Sequence, residues 1–77
     1  MISPTALKKH SVNIAGHATS VTLEHAFWEA LKEIATTRGT SIAALIAEID
    51  QTREAEPKAP NLSSAIRVFV LMSTKPR

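Results

Sequence analysis

From His17 to Leu23 the chain alternates, with Thr19, Val21 and Leu23 on one side and Ala18, Ser20 and Thr22 on the other. A period of two predicts a strand with one covered face, and Val and Thr suit a pleated surface. At Glu24 the period changes. Phe27, Trp28, Leu31, Ile34 and Ala35 recur at spacings of three and four, predicting a helix over Glu24 to Arg38. Gly39 is placed to end it in a left-handed conformation, and Thr40 or Ser41 to cap the next helix. That second helix carries the stripe Ile42, Leu45, Ile46 and Ile49.

The flanks are less regular. Residues 1–10 contain Pro4 and no periodicity, which predicts an arm. Ser11-Val12-Asn13-Ile14 alternates and predicts a short extended piece, with Gly16 allowing a turn or bulge after it. Glu54 to Pro60, with Pro57 and Pro60, predicts a linker. Asn61 then caps a third segment, Leu62 to Met72. Val68 to Met72 is unbroken apolar and compatible with a strand, but Ser63, Ser64 and Arg67 interrupt the apolar positions at helical spacing and favour a helix. The expected divisions are a basic N-terminal arm over 1–16, a core over 17–53, a linker over 54–60, and a C-terminal helix and tail over 61–77.

This inventory holds one clear strand. A strand with no partner in its own chain leaves a row of backbone donors and acceptors open, which predicts pairing with a second copy. At 77 residues the chain is small for a self-sufficient core, and association is one remedy. Cysteine is absent, so disulfides and thiolate metal sites are excluded, and a reducing cytoplasm is the expected location. His10, His17 and His25 have no common zinc spacing, and no metal or other cofactor is expected. No apolar run is long enough for a bilayer, and Met1 to Pro4 lacks a signal-peptide pattern.

The formal charge is only +2, but it is segregated. Residues 1–23 hold Lys8 and Lys9 with no acid. Residues 24–56 hold seven acids against Lys32, Arg38 and Arg53. Residues 57–77 hold four bases and no acid. A basic, acid-free strand end has the sign that a nucleic-acid surface needs. With two glycines and no nucleophile–base constellation, nothing suggests an enzyme.

Taken in order, Ser20-Val21-Thr22-Leu23, the Phe27/Trp28/Leu31/Ile34 stripe, Gly39-Thr40-Ser41 and the Ile42/Leu45/Ile46/Ile49 stripe resemble the ribbon-helix-helix family of Arc-type bacterial repressors. The resemblance covers roughly residues 17–52. The string from Gly16 to Trp28, with Asn61 to Ala65, is similar to a small bacterial subgroup of that family. It implies a mostly α fold: an intertwined homodimer with an intermolecular two-stranded antiparallel ribbon, to which this chain adds a C-terminal helix. It also implies insertion of the ribbon into the major groove of double-stranded DNA. Ala18, Ser20 and Thr22 would face base edges. Thr40, Ser41 and Ile42 would hold a phosphate at the second helix start, with Lys8, Lys9 and His10 adding contacts from the arm.

The implied dimer core is Val21, Leu23, Phe27, Trp28, Leu31, Ile34, Ile42, Leu45, Ile46 and Ile49. One position departs from the pattern. The family commonly has a basic or long polar residue where this chain has Ala18, whose methyl can at most touch a thymine methyl. The leading expectation is a homodimeric DNA-binding transcriptional regulator, a repressor being the family's usual form. Two alternatives are an antitoxin that docks a toxin through Leu62–Met72, and a dimerisation module without DNA binding.

Overall fold

A computed structural model describes residues 2–55 and 61–74 of the chain. Two strands are followed by three helices: β1 (Leu7–Ile14), β2 (His17–Glu24), α1 (His25–Arg38), α2 (Ile42–Glu54) and α3 (Leu62–Thr74).

The strand expected to be alone has its partner in its own chain. β1 pairs antiparallel with β2 over the full length of both, from Ile14 opposite His17 to Leu7 opposite Glu24. This corrects the expectation of a lone strand behind a loose arm. Residues 7–14 are a strand rather than part of an arm, and one edge of β2 is paired within the chain, leaving its other edge open among the described residues. The connection is a two-residue turn, with Ala15 at φ 50° and Gly16 at φ 83°. Positive φ at both central positions is what a type I′ hairpin turn requires, and its twist suits antiparallel strands.

One ribbon face lies on the helices. Ile14, Val21 and Leu23 are buried there, with Val12 packed against them. His10 joins this face, opposite Val21. The start of α1 is held by the segment before β1: the His25 N–H donates to the Ala6 carbonyl at 2.8 Å and the Ala26 N–H to that of Pro4 at 3.0 Å. Two of the amides that every helix start leaves open are thereby satisfied.

α1 ends as expected. Gly39 is left-handed at φ 70°, and its N–H and that of Thr40 return to the carbonyls of Thr36 and Ala35. Ser41 caps α2, its Oγ accepting from the Ala44 N–H at 3.0 Å. Asn61 does the same for α3, its Oδ1 accepting from the Ser64 N–H at 2.8 Å. Val68 to Met72 is helical. Pro57, Pro60 and the rest of residues 56–60 in the expected linker lie outside the described residues, as do residues 75–77 of the tail.

The core is shared by every element: Ile14 from β1, Val21 and Leu23 from β2, Leu31 and Ala35 from α1, Leu45, Ile46 and Ile49 from α2, and Ile66 and Val70 from α3. Of the residues expected to form a dimer core, Val21, Leu23, Leu31, Leu45, Ile46 and Ile49 are thus buried within a single chain. Phe27, Trp28, Ile34 and Ile42 are partly buried around them.

Candidate nucleic-acid interface

The outward face of the ribbon is built by the alternation on both strands. Ala18, Ser20 and Thr22 are exposed, while Val21 and Leu23 point inward, as the sequence pattern predicts. The register adds a second row. Asn13 stands opposite Ala18, Ser11 opposite Ser20 and Lys9 opposite Thr22. Residues opposite one another share a face, and all six are exposed. Ser11 and Asn13 were not among the expected site residues. Their signal was the Ser11–Ile14 alternation, read as a short extended piece instead of the end of an eight-residue strand.

Lys8 and Lys9 are exposed, but they belong to opposite faces. Lys9 shares the outward face with Thr22, and Lys8 sits opposite Leu23 on the other. Both sit on a paired strand instead of a loose arm. His10 is still less available as a phosphate contact. Its ring stacks on Trp28 with centroids 3.6 Å apart and 6° between planes. Its Nε2 is buried with no hydrogen-bond partner among the described residues. Burial, then the charges of Lys8, His25 and Lys32, hold the imidazole below its ordinary pKa, so the neutral ring is favoured.

Glu24, at the base of the ribbon, is paired. Its carboxylate accepts a hydrogen bond from Arg67 Nε on α3 at 2.8 Å. That bond holds its carboxyl below the usual carboxylate range. The six-residue outward face carries the Lys9 cation, four hydroxyl or amide side chains and one methyl, with no carboxylate among them.

Thr40, Ser41 and Ile42 form the corner between α1 and α2, apart from the ribbon along the chain. The Ser41 hydroxyl is engaged in capping, and the first carbonyl bond into the helix is Leu45 N–H to Ser41 O. The amides of Ile42 and Ala43 are left to point out of the helix start, where an anion is favoured.

Another part of the surface is apolar. A cavity of about 540 Å³ opens between α2, α3 and the end of α1, walled by Leu45, Ile49, Ala65, Val68, Phe69 and Met72. Arg38 crosses its rim with the guanidinium 5.1 Å from the Phe69 ring centroid. α3 itself packs on its own chain through Ile66 and Val70, and leaves Val68, Leu71 and Met72 exposed.

Among the described residues no cluster of His, Cys, Asp or Glu is arranged to hold a metal ion, and no helix is long and apolar enough to cross a membrane.

Comparison with known proteins agrees with this architecture. No curated protein matches the chain. One similar solved structure is that of an uncharacterized protein from Bordetella pertussis Tohama I. It is 34% identical with a TM-score of 0.77, and the match covers 91% of this chain. It covers 57% of that protein, so this chain spans little more than half its length. The family model for the ribbon-helix-helix domain matches residues 7–74, a span that takes in both strands and all three helices. The chain belongs to the ribbon-helix-helix domain family.

Proposed function

We propose that this protein binds double-stranded DNA as a homodimer, inserting its β-ribbon into the major groove, and that it regulates transcription in the bacterial cytoplasm, repression being the simplest form. The observation that carries the reading is the outward ribbon face. Two strands about 4.8 Å apart fit a groove about 12 Å wide, where every base pair presents its own donors and acceptors. Ser20 and Thr22 supply hydroxyls that can donate or accept, and Lys9 adds charge beside them. The Ile42 and Ala43 amides at the α2 corner offer a phosphate contact that fixes orientation without reading sequence.

Two features support a second copy. The edge of β2 away from β1 is open among the described residues, leaving a row of backbone donors and acceptors for another strand, and Val68, Leu71 and Met72 leave an apolar stripe beside the α2–α3 cavity. A titration of a fluorescent duplex at rising salt tests the reading. Binding that weakens steeply as salt is raised, through counterion release, supports it. No binding at the lowest salt sinks it.

The same stripe favours a second reading, a protein partner such as a toxin. That partner would meet a packed helix, because Ile66 and Val70 anchor α3 in the core. Co-purification of a small protein that is lost on substitution of Leu71 would favour it. A dimer with no affinity for duplex DNA would instead favour a pure assembly module.

A further inference from the structure

We propose that, in a DNA-bound dimer, β1 lies over the sugar–phosphate wall of the major groove, outside the groove itself, and that Lys9, Ser11 and Asn13 donate hydrogen bonds to phosphate oxygens there. The inference rests on the DNA-binding reading above and assigns β1 a task within it that β2 does not perform.

The hydrogen-bond parity of the hairpin fixes what the free edge of β2 offers. In a two-residue hairpin the pair flanking the turn exchanges both backbone bonds, and bonded pairs recur at every second position. Ile14–His17 is that pair, so Val12–Thr19, His10–Val21 and Lys8–Leu23 are bonded as well. The His25 N–H bond to the Ala6 carbonyl continues this parity past the strands. The backbone groups of Ala18, Ser20 and Thr22 therefore point away from β1, to the open edge of β2. A second copy's β2 pairing at that edge puts the two β2 strands in the middle and one β1 on each side.

β1 is fixed in that outer position. Ile14 is buried, Val12 packs on the core, and His10 stacks on Trp28. The Pro4 and Ala6 carbonyls just before the strand hold the first amides of α1. Two strands about 4.8 Å apart fit a groove about 12 Å wide. Four do not, because three such spacings set the two β1 axes about 14 Å apart. Each β1 thus comes to rest at the rim of the groove, where the phosphates are.

The side chains at that place suit a partner that only accepts. Lys9, Ser11 and Asn13 are exposed on the face they share with Thr22, Ser20 and Ala18. Each carries an N–H or O–H donor, and phosphate oxygens take donors of all three kinds. No hydrogen bond or ion pair among the described residues engages these three side chains. Glu24, at the far end of the ladder, is turned to Arg67 on α3. Lys8 belongs to the opposite face of β1, so two adjacent lysines have different surroundings in the complex.

The test is the salt dependence of binding to a fluorescent duplex, measured with the full natural chain, Lys9→Met and Lys8→Met. Thermal melts confirm the fold of each variant. Every phosphate neutralised contributes about 0.9 to the slope of log K against log salt. Lys9→Met is expected to make that slope shallower by about 1.8 per dimer, one contact being lost from each copy. It should weaken every duplex alike and leave unchanged the base preference selected from a randomised library. Lys8→Met is expected to keep the natural slope. Ser11→Ala and Asn13→Ala, which remove neutral donors, are expected to weaken all duplexes alike at the natural slope. An unchanged slope in Lys9→Met, an equal loss in Lys8→Met, or a changed preference at one base pair in any β1 variant overturns the inference and leaves the DNA-binding reading intact. If the natural chain binds no duplex at low salt, that reading fails and this inference with it.

Discussion

The imidazole of His10 lies flat on the indole of Trp28, ring centroids 3.6 Å apart and planes 6° from parallel. This stack joins β1 to α1 at a position where sequence alone suggests a loose arm. Because Nε2 is buried without a partner among the described residues and Lys8, His25 and Lys32 add positive charge nearby, the imidazolium is disfavoured in the folded chain. A histidine of this kind contributes stability above its ordinary pKa near 6.5, and that stability is lost as the pH falls towards the lower folded value. Urea unfolding followed through Trp28, the only tryptophan, should show a lower midpoint at about pH 5.5 than at about pH 7.5, on either side of that ordinary value. His10→Phe keeps a flat ring but cannot titrate, and should remove most of that difference. An equal pH dependence in the variant would show that the stack is not its source.

The hairpin turn holds a removable strain. Ala15 sits at φ 50°, a left-handed conformation that costs a residue with a Cβ about 1–2 kcal/mol. Ala15→Asn creates the Asn-Gly pair preferred in such turns and should stabilise the chain by about 1 kcal/mol. At Gly39, φ 70°, an added Cβ meets nothing within 4 Å. Gly39→Ala should therefore destabilise by about 1 kcal/mol through backbone strain alone. Opposite signs in the two denaturant midpoints are the expected result.

The ion pair between Glu24 and Arg67 ties the end of the ribbon to α3 at 2.8 Å. Arg67→Met should return the Glu24 carboxyl to the ordinary carboxylate range, measurable by titrating its side-chain carbon resonance. Because Glu24 is held low in the folded chain, the pair stabilises above the ordinary carboxylate pKa and ceases to do so as pH falls through the folded value. The variant should melt below the natural chain at neutral pH, and the gap should close once the pH is below the folded value. A melting difference unchanged by pH would assign the loss to packing of the Arg67 stem.

α3 is a structural part of the domain. Ile66 is fully buried and Val70 nearly so. Ile66→Ala should cost about 2–5 kcal/mol, as large-to-small core substitutions do. A C-terminal helix held in reserve for a partner would tolerate it with almost no change in midpoint.

The second strand, the two helix stripes and the caps at Ser41 and Asn61 follow from local patterns, because each is written in a few adjacent residues. The first strand is harder to see. Its inward positions are Lys8, His10, Val12 and Ile14, so half of that row is polar by residue type. His10 is half-buried through its stack on Trp28, which is distant in sequence. The turn is equally quiet, because Ala15 carries none of the usual preference for positive φ. With β1 unread, β2 looks like a lone strand, although one of its edges is paired within the chain. The same gap hides Ser11 and Asn13, two of the polar residues on the outward face. The faces of β2 were legible because burial on one side imposes strict alternation.

The most direct test of the central claim, that the outward ribbon face meets DNA, is an amide and side-chain chemical-shift map of the labelled chain titrated with duplex. Perturbations concentrated at Lys9, Ser11, Asn13, Ala18, Ser20 and Thr22, with a second group at Ser41 to Ala43, are the predicted result. Shifts confined to α3 around Val68, Leu71 and Met72, or no shifts at all at low salt, would contradict it.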